Sequence, residues 1–124
     1  MEELYNQIHI YLNQEEEITF KEFDRYYKDA VAYFNEHADE FDEDHIWKGL
    51  FISENVMSNA EGRAKETKNA KEGKKYEKMN QRLTLWAQNF AARLARLGYD
   101  QDQMNERFEK MFEDYEKLVK KDSE

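Results

Sequence analysis

Cysteine and proline are both absent from the 124 residues, and glycine occurs only four times. Without thiols the chain has no disulfide, no thiolate metal site and no thiol nucleophile, which suits a reducing compartment. Without proline, and with so few glycines, little interrupts a helix anywhere along the chain. Aliphatic side chains are scarce as well. Leu, Ile, Val and Phe together number 24 of 124 residues, just under the roughly 20% below which a highly charged chain tends towards disorder. No apolar run is long enough to cross a membrane, and the acidic start Met1-Glu2-Glu3 is unlike a secretory leader. A cytoplasmic protein without membrane attachment is therefore expected.

Aromatic rings compensate for the missing aliphatics. Eight Tyr, eight Phe and two Trp are present, and each large ring can bury about 150–250 Å². A chain of this length supports one core, so residues 1–124 are expected to form a single domain with a ring-rich interior.

The net charge of −9 is laid out unevenly. Residues 1–57 carry 15 Asp and Glu against 4 Lys and Arg; residues 58–98 carry 4 against 10; residues 99–124 carry 9 against 5. An acidic first half, a basic middle and an acidic tail suit charged partners better than they suit catalysis.

Three helix starts are written in the residue order. Thr19 can cap a helix with Glu22 completing a capping box, and Ile18 and Phe23 form a hydrophobic staple around it. Asp42 repeats the arrangement with Phe41 and Ile46, and Asp100 does so with Gln103, Tyr99 and Met104. Gly98 suits the position just past the end of the preceding helix, so a tight helical hairpin is expected there.

Apolar residues recur between these caps at the three- and four-residue steps of helices. Leu4, Ile8 and Tyr11 mark a short first helix; Phe20, Phe23, Tyr27, Ala30, Val31 and Phe34 a second; Ile46, Leu50, Met57 and Ala60 a third. Tyr76, Met79, Leu83, Trp86, Phe90, Leu94 and Leu97 form a near-heptad stripe, and Met104, Phe108, Met111, Tyr115 and Leu118 form another. The expected fold is all-α, an antiparallel bundle of four to five helices.

Residues 58–75 allow two arrangements. In one, a polar connection ends at Asn69, which caps a new helix with Glu72 at N3. In the other, a helix runs straight through as part of an extended basic hairpin and aligns Lys65, Lys68, Lys71, Lys75, Lys78 and Arg82 on one face. A run of like charge is usually a solvated surface; the sharper reading is nucleic-acid binding. Against it stand the acidic total, the lack of an aromatic residue among these lysines and the lack of a framing motif.

Glu36, Asp39, Glu40, Asp42, Glu43 and Asp44 gather at the junction of the second and third helices. Capping and the helix dipole account for part of the cluster. The remainder, joined by Glu15, Glu16 and Glu17, offers a carboxylate surface to a basic groove, as a protein imitating the phosphate backbone would. Trp47 and Phe51 lie about 100° around the third helix from Ile46 and Leu50. They mark either burial on two sides or an aromatic patch for a partner, and Tyr26 and Tyr33 raise the same alternatives.

His37 and His45 stand among carboxylates, but Asp42-x-x-His45 occurs once and at a helix start. A di-iron bundle needs paired Glu-x-x-His motifs in mid-helix. His9 is isolated, no serine sits in a nucleophile elbow, and the glycines form no phosphate-cradling loop. No enzymatic activity, cofactor or metal is expected.

The favoured reading is a small protein-binding module, an inhibitor or adaptor, whose acidic face, with Trp47 and Phe51, seats on a cationic partner protein. In size, acidity and helical content the chain resembles the small effectors of phages and mobile elements that block defence nucleases, the anti-CRISPR and anti-restriction proteins. The resemblance is one of type, carried by no motif. Two alternatives accompany it: nucleic-acid binding through residues 63–82, and homo-oligomerisation of the basic segment on the acidic face of a second copy.

Overall fold

The caps read from the sequence stand where the helices begin. In this computed structural model, which describes the backbone of residues 1–123 and side chains to residue 118, Thr19 Oγ1 accepts from the Glu22 amide at 3.1 Å to open α2 (Phe20–His37). Asp42 Oδ1 accepts from the His45 amide at 2.9 Å to open α3 (Glu43–Glu66). Asp100 and Gln103 form a reciprocal capping box, at 2.8 and 2.9 Å, ahead of α5 (Gln101–Met111). The box expected at Thr19 is half-made, because the Glu22 carboxylate instead accepts from the Tyr11 hydroxyl at 3.2 Å. The remaining helices are α1 (Glu2–Asn13), α4 (Ala70–Arg96) and α6 (Asp114–Ser123), with a short 3-10 turn at Ala38–Glu40.

Residues 58–75 follow the capped arrangement with a shorter connection than expected. Helix α3 continues to Glu66, and only Thr67–Asn69 intervene before α4. Asn69 Oδ1 accepts from the amides of Lys71 and Glu72 at 3.0 and 3.2 Å, and the Thr67 hydroxyl donates to the Glu72 carboxylate at 3.4 Å. These side chains give the backbone an alternative to continuing the helix. The unbroken helix through this stretch is therefore not formed.

Helices α3 and α4 make an antiparallel hairpin, the principal packing pair of the molecule, and α3 also touches α1, α2 and α5. The hairpin is long: the 24 residues of α3 correspond to about 36 Å at 1.5 Å per residue. At the other, open end of the hairpin α4 stops as expected at Gly98, whose φ of 108° is the left-handed conformation that glycine tolerates. The Tyr99 amide returns to Leu94 O at 3.2 Å and the Gly98 amide to Ala95 O at 3.1 Å, a Schellman closure. At Gly49 of α3 an added Cβ would stand 2.9 Å from the Phe90 ring of α4.

Rings dominate the core. Phe90 contacts Phe34, Phe41 and Trp86 at centroid separations of 5.2, 5.8 and 5.6 Å. Trp47 and Phe51, whose wide arc also suggested a partner surface, are 2% and 0% exposed. Trp47 packs edge-on against Tyr99 at 5.1 Å, and Phe51 sits between Tyr5, Phe108 and Phe112. They are core residues of a helix buried on two sides and are not available to a partner. Tyr26 likewise belongs inside, its hydroxyl donating to Leu4 O at 2.6 Å. The buried line of α2 is Phe23, Tyr26, Ala30 and Phe34, with Tyr27 at its margin.

The stripe from Met104 to Leu118 does not form the single helix its spacing suggests. It breaks at Phe112–Glu113, where short i−3 bonds from Phe112 and Glu113 replace the α-helical pattern. Just beyond the break the Tyr5 hydroxyl donates to Asp114 Oδ2 at 2.6 Å and ties α6 to α1.

Candidate binding surfaces on the helical hairpin

The acidic end is built by the last turn of α2, the 3-10 turn and the start of α3. Glu36, Asp39, Glu40, Asp42, Glu43 and Asp44 are all exposed there. Two of the six have structural tasks: Asp42 caps α3, and Asp44 pairs with Lys48 at 3.0 Å. Lys48 also binds Glu2 and lies over the Tyr5 ring, joining α1 to α3. Glu43 accepts from the Tyr99 hydroxyl at 3.2 Å, and Glu36 has only His37 at 3.8 Å. Asp39 and Glu40 have no ion pair among the described residues. Glu15, Glu16 and Glu17 do not join this surface. They lie in the α1–α2 connection, at the opposite end of α2, whose 18 residues extend about 27 Å.

The basic residues sit at the other end of the hairpin. Lys71, Lys75, Lys78 and Arg82 are exposed on one face of α4 at steps of four, three and four residues, and Leu85, 64% exposed, continues that face. Lys65 and Lys68 are not part of it. Lys65 belongs to α3 and pairs with Glu61 at 3.6 Å, while Lys68 lies in the turn. Lys75 also crosses the Phe20 ring at 5.4 Å. The acidic and basic groups are thus held apart by the length of α3.

Arg63 secures the basic end to the body. Its guanidinium donates to Ile18 O at 3.0 Å and to the Tyr76 hydroxyl at 3.3 Å, and it stacks over Phe23 at 4.5 Å. Beside it opens a cleft of about 290 Å³ between the α1–α2 connection and the second half of α3. Ile8, Phe23, Tyr26 and Val56 contribute its buried apolar residues. Glu15, Glu16, Glu17 and Glu66 are exposed carboxylates around it. Sequence reading missed this cleft, because its walls come from segments that are thirty or more residues apart, Tyr26 and Val56 being the nearest in sequence.

His9 is the other residue whose position the sequence did not reveal. It is 1% exposed, wedged between Tyr5 and Phe51 at 4.6 and 4.8 Å, and neither ring nitrogen has a hydrogen-bond partner among the described residues. Burial lowers its pKa, with the Asp114 carboxylate pulling weakly the other way. Burial also raises the Glu54 carboxyl pKa. Asp42, Asp44 and His45 bring potential metal ligands within 4.8 Å of one another, yet Asp42 is occupied as a cap and Asp44 by Lys48. His9 is on α1, whereas His37 and His45 both belong to the acidic end, in the last turn of α2 and the first turn of α3.

No family model, curated protein or solved structure matches the chain. Among the described residues, no helix is long and apolar enough to cross a membrane.

Proposed function

We propose that this chain is a non-enzymatic protein-binding module, an inhibitor or adaptor, whose acidic end docks on a cationic surface of a partner protein. The observation that carries the reading is the set Glu36, Asp39, Glu40 and Glu43. These exposed carboxylates project from rigid helical ends, and no lysine or arginine pairs with them among the described residues. A net charge of −9 favours encounter with such a surface through long-range attraction. Nucleic-acid-binding proteins present such surfaces, and the phage effectors that this chain resembles in type act on proteins of that class. Trp47 and Phe51 have no part in the contact, since both are core.

The alternative rests on the exposed stripe of Lys71, Lys75, Lys78 and Arg82, which suits a phosphate backbone. One experiment separates the two readings. Wild type, a Glu36→Lys/Asp39→Lys/Glu40→Lys variant and a Lys71→Glu/Lys75→Glu/Lys78→Glu variant are used as baits in nuclease-treated host lysate. Asp42 and Asp44 are left intact because they hold structure. The expected result is a basic protein retained by wild type and the lysine-stripe variant but lost from the acidic-end variant, whose helicity is unchanged. Retention by the acidic-end variant at the wild-type level would refute acidic docking. Loss from the stripe variant alone would transfer the role to α4.

A further inference from the structure

The cleft beside Arg63 combines features that the acidic end lacks. It is concave, its buried residues are apolar, and its charged groups are almost all of one sign. The half-buried Tyr11, Leu12 and Ile18 supply the apolar surface that faces the cleft, over a floor of Ile8, Phe23, Tyr26 and Val56 that is itself almost wholly buried, and Gln14, Ser58 and Asn59 add uncharged polar groups. Four carboxylates, those of Glu15, Glu16, Glu17 and Glu66, surround them. Among the described residues the one cation lining the cleft is Arg63, which is already committed to Ile18 O, the Tyr76 hydroxyl and the Phe23 ring. It does not neutralise the rim by pairing with a glutamate within the salt-bridge distances found here.

An apolar bed with a carboxylate rim selects a particular ligand chemistry. A small metal ion would gain nothing from the rings and aliphatic groups, and an anion would be repelled. A neutral apolar ligand would leave the carboxylates unused. The matching class is a flexible aliphatic chain bearing several ammonium groups: methylenes lie on apolar surface while the charged groups reach carboxylates, as lysine stems do on protein surfaces. The volume, about 290 Å³, is at the lower end of the range for small-ligand pockets, roughly 300–1,000 Å³. It suits one slender molecule.

We propose that this cleft binds an aliphatic polyamine. The site is separate from the acidic end and does not depend on that end's docking role. Gly62 provides the means of testing it. It lines the cleft, and a Cβ added there would meet nothing within 4 Å. A larger side chain at this position would occupy ligand space without displacing protein atoms around its Cβ, and replacing a glycine inside a helix favours the helix.

The test is calorimetric titration of the full chain with spermidine near physiological salt, repeated with magnesium chloride at matched ionic strength. Wild type should bind one spermidine per chain, and magnesium should not reproduce the heat. Gly62→Leu should weaken spermidine binding at least about tenfold, through loss of the space and the bed, without lowering the melting temperature. Glu15→Gln/Glu16→Gln/Glu17→Gln should weaken it comparably and flatten its salt dependence. The Glu36→Lys/Asp39→Lys/Glu40→Lys variant should bind spermidine with one-to-one stoichiometry still, which keeps this result distinct from the fate of the docking reading. Absence of one-to-one binding, equal affinity in Gly62→Leu, or the same isotherm with magnesium would each overturn the proposal.

Discussion

The two ends of the α3–α4 hairpin are built on opposite principles. Near its open end, at the level of Gly49 and Phe90, the helices approach closely through a glycine and a cluster of Phe34, Phe41, Trp86 and Phe90. Near the Thr67–Asn69 turn the same helices carry lysines outward, and the inner contacts narrow to Tyr76, Arg63 and the first turn of α2. Gly49 and Gly62, on one helix, express the difference: the first has no room for a methyl group and the second has open space. Stability is expected to concentrate at the aromatic end, leaving the turn end free to carry charge and a cleft.

The largest effect should come from emptying the aromatic end. Phe90 is fully buried, and Phe90→Ala should cost about 3–5 kcal/mol through lost transfer energy and a residual cavity. That is a large share of a domain stability of roughly 5–15 kcal/mol. Leu85→Ala, on the exposed face of the same helix, should change stability by less than about 0.5 kcal/mol. Chemical denaturation of both variants checks the contrast; similar losses would mean that α4 is not divided in this way.

Next in size is the glycine pair. Gly49→Ala forces a methyl group towards the Phe90 ring, which is itself confined by other rings, so overpacking should cost about 1–3 kcal/mol. Gly62→Ala should instead stabilise by up to about 1 kcal/mol, the difference in helix propensity. One substitution at two positions of α3 should therefore shift the denaturation midpoint in opposite directions. A shift of the same sign at both would remove the distinction between the ends.

The smallest and most condition-dependent effect belongs to His9, on α1 beside the Phe51 rings. Its folded pKa lies below the unfolded value near 6.5, so the unfolded chain binds the proton more readily. Stability at His9 is therefore complete above about pH 6.5 and declines as the pH falls below it, levelling once the pH passes the folded pKa. The slope cannot exceed about 1.4 kcal/mol per pH unit for one proton. Glu54 acts with the opposite sign, from above the ordinary carboxyl value downward, because its raised carboxyl pKa favours the folded state as it protonates. A His9→Phe variant measured between about pH 8 and pH 5.5 should lose the acid-dependent part of the decline; an unchanged pH profile would show that the decline originates elsewhere.

Much of the fold was legible in local residue order. Thr19, Asp42, Asn69, Asp100 and Gly98 act within a few residues of themselves, so their roles at helix ends could be read without knowing any partner. The all-α class followed from the steps between Tyr76, Met79, Leu83, Phe90 and Leu94, all of which are buried. The break at Phe112–Glu113 was not legible, because its stripe continues in register through the turn, and the partner that Asp114 meets just beyond it, Tyr5, is more than a hundred residues away. Tyr26 and Tyr27 differ by one position, and it is Tyr26 that lies inside, where α1 meets it with the Tyr11 ring and the Leu4 carbonyl.

The candidate surfaces divide in the same way. Charge is conspicuous in composition, so the acidic junction and the lysine run were visible as residues. Their separation was not, since it depends on α3 being one uninterrupted helix between them. Trp47 and Phe51 could be assigned to a wide apolar arc, but whether a neighbour covers an arc is a property of the other helices.

Residue order alone determined the helix starts at Thr19, Asp42, Asn69 and Asp100 and the stop at Gly98, which spacings could form a core and how charge is distributed along the chain, because capping, periodicity and ionisation act over a few bonds. Tertiary structure decided that Trp47, Phe51 and His9 are inside, that Glu15–Glu17 and the α2–α3 acidic cluster are different surfaces, and that a cleft exists beside Gly62. Burial and concavity require atoms from distant segments to meet, and local residue order does not specify that meeting.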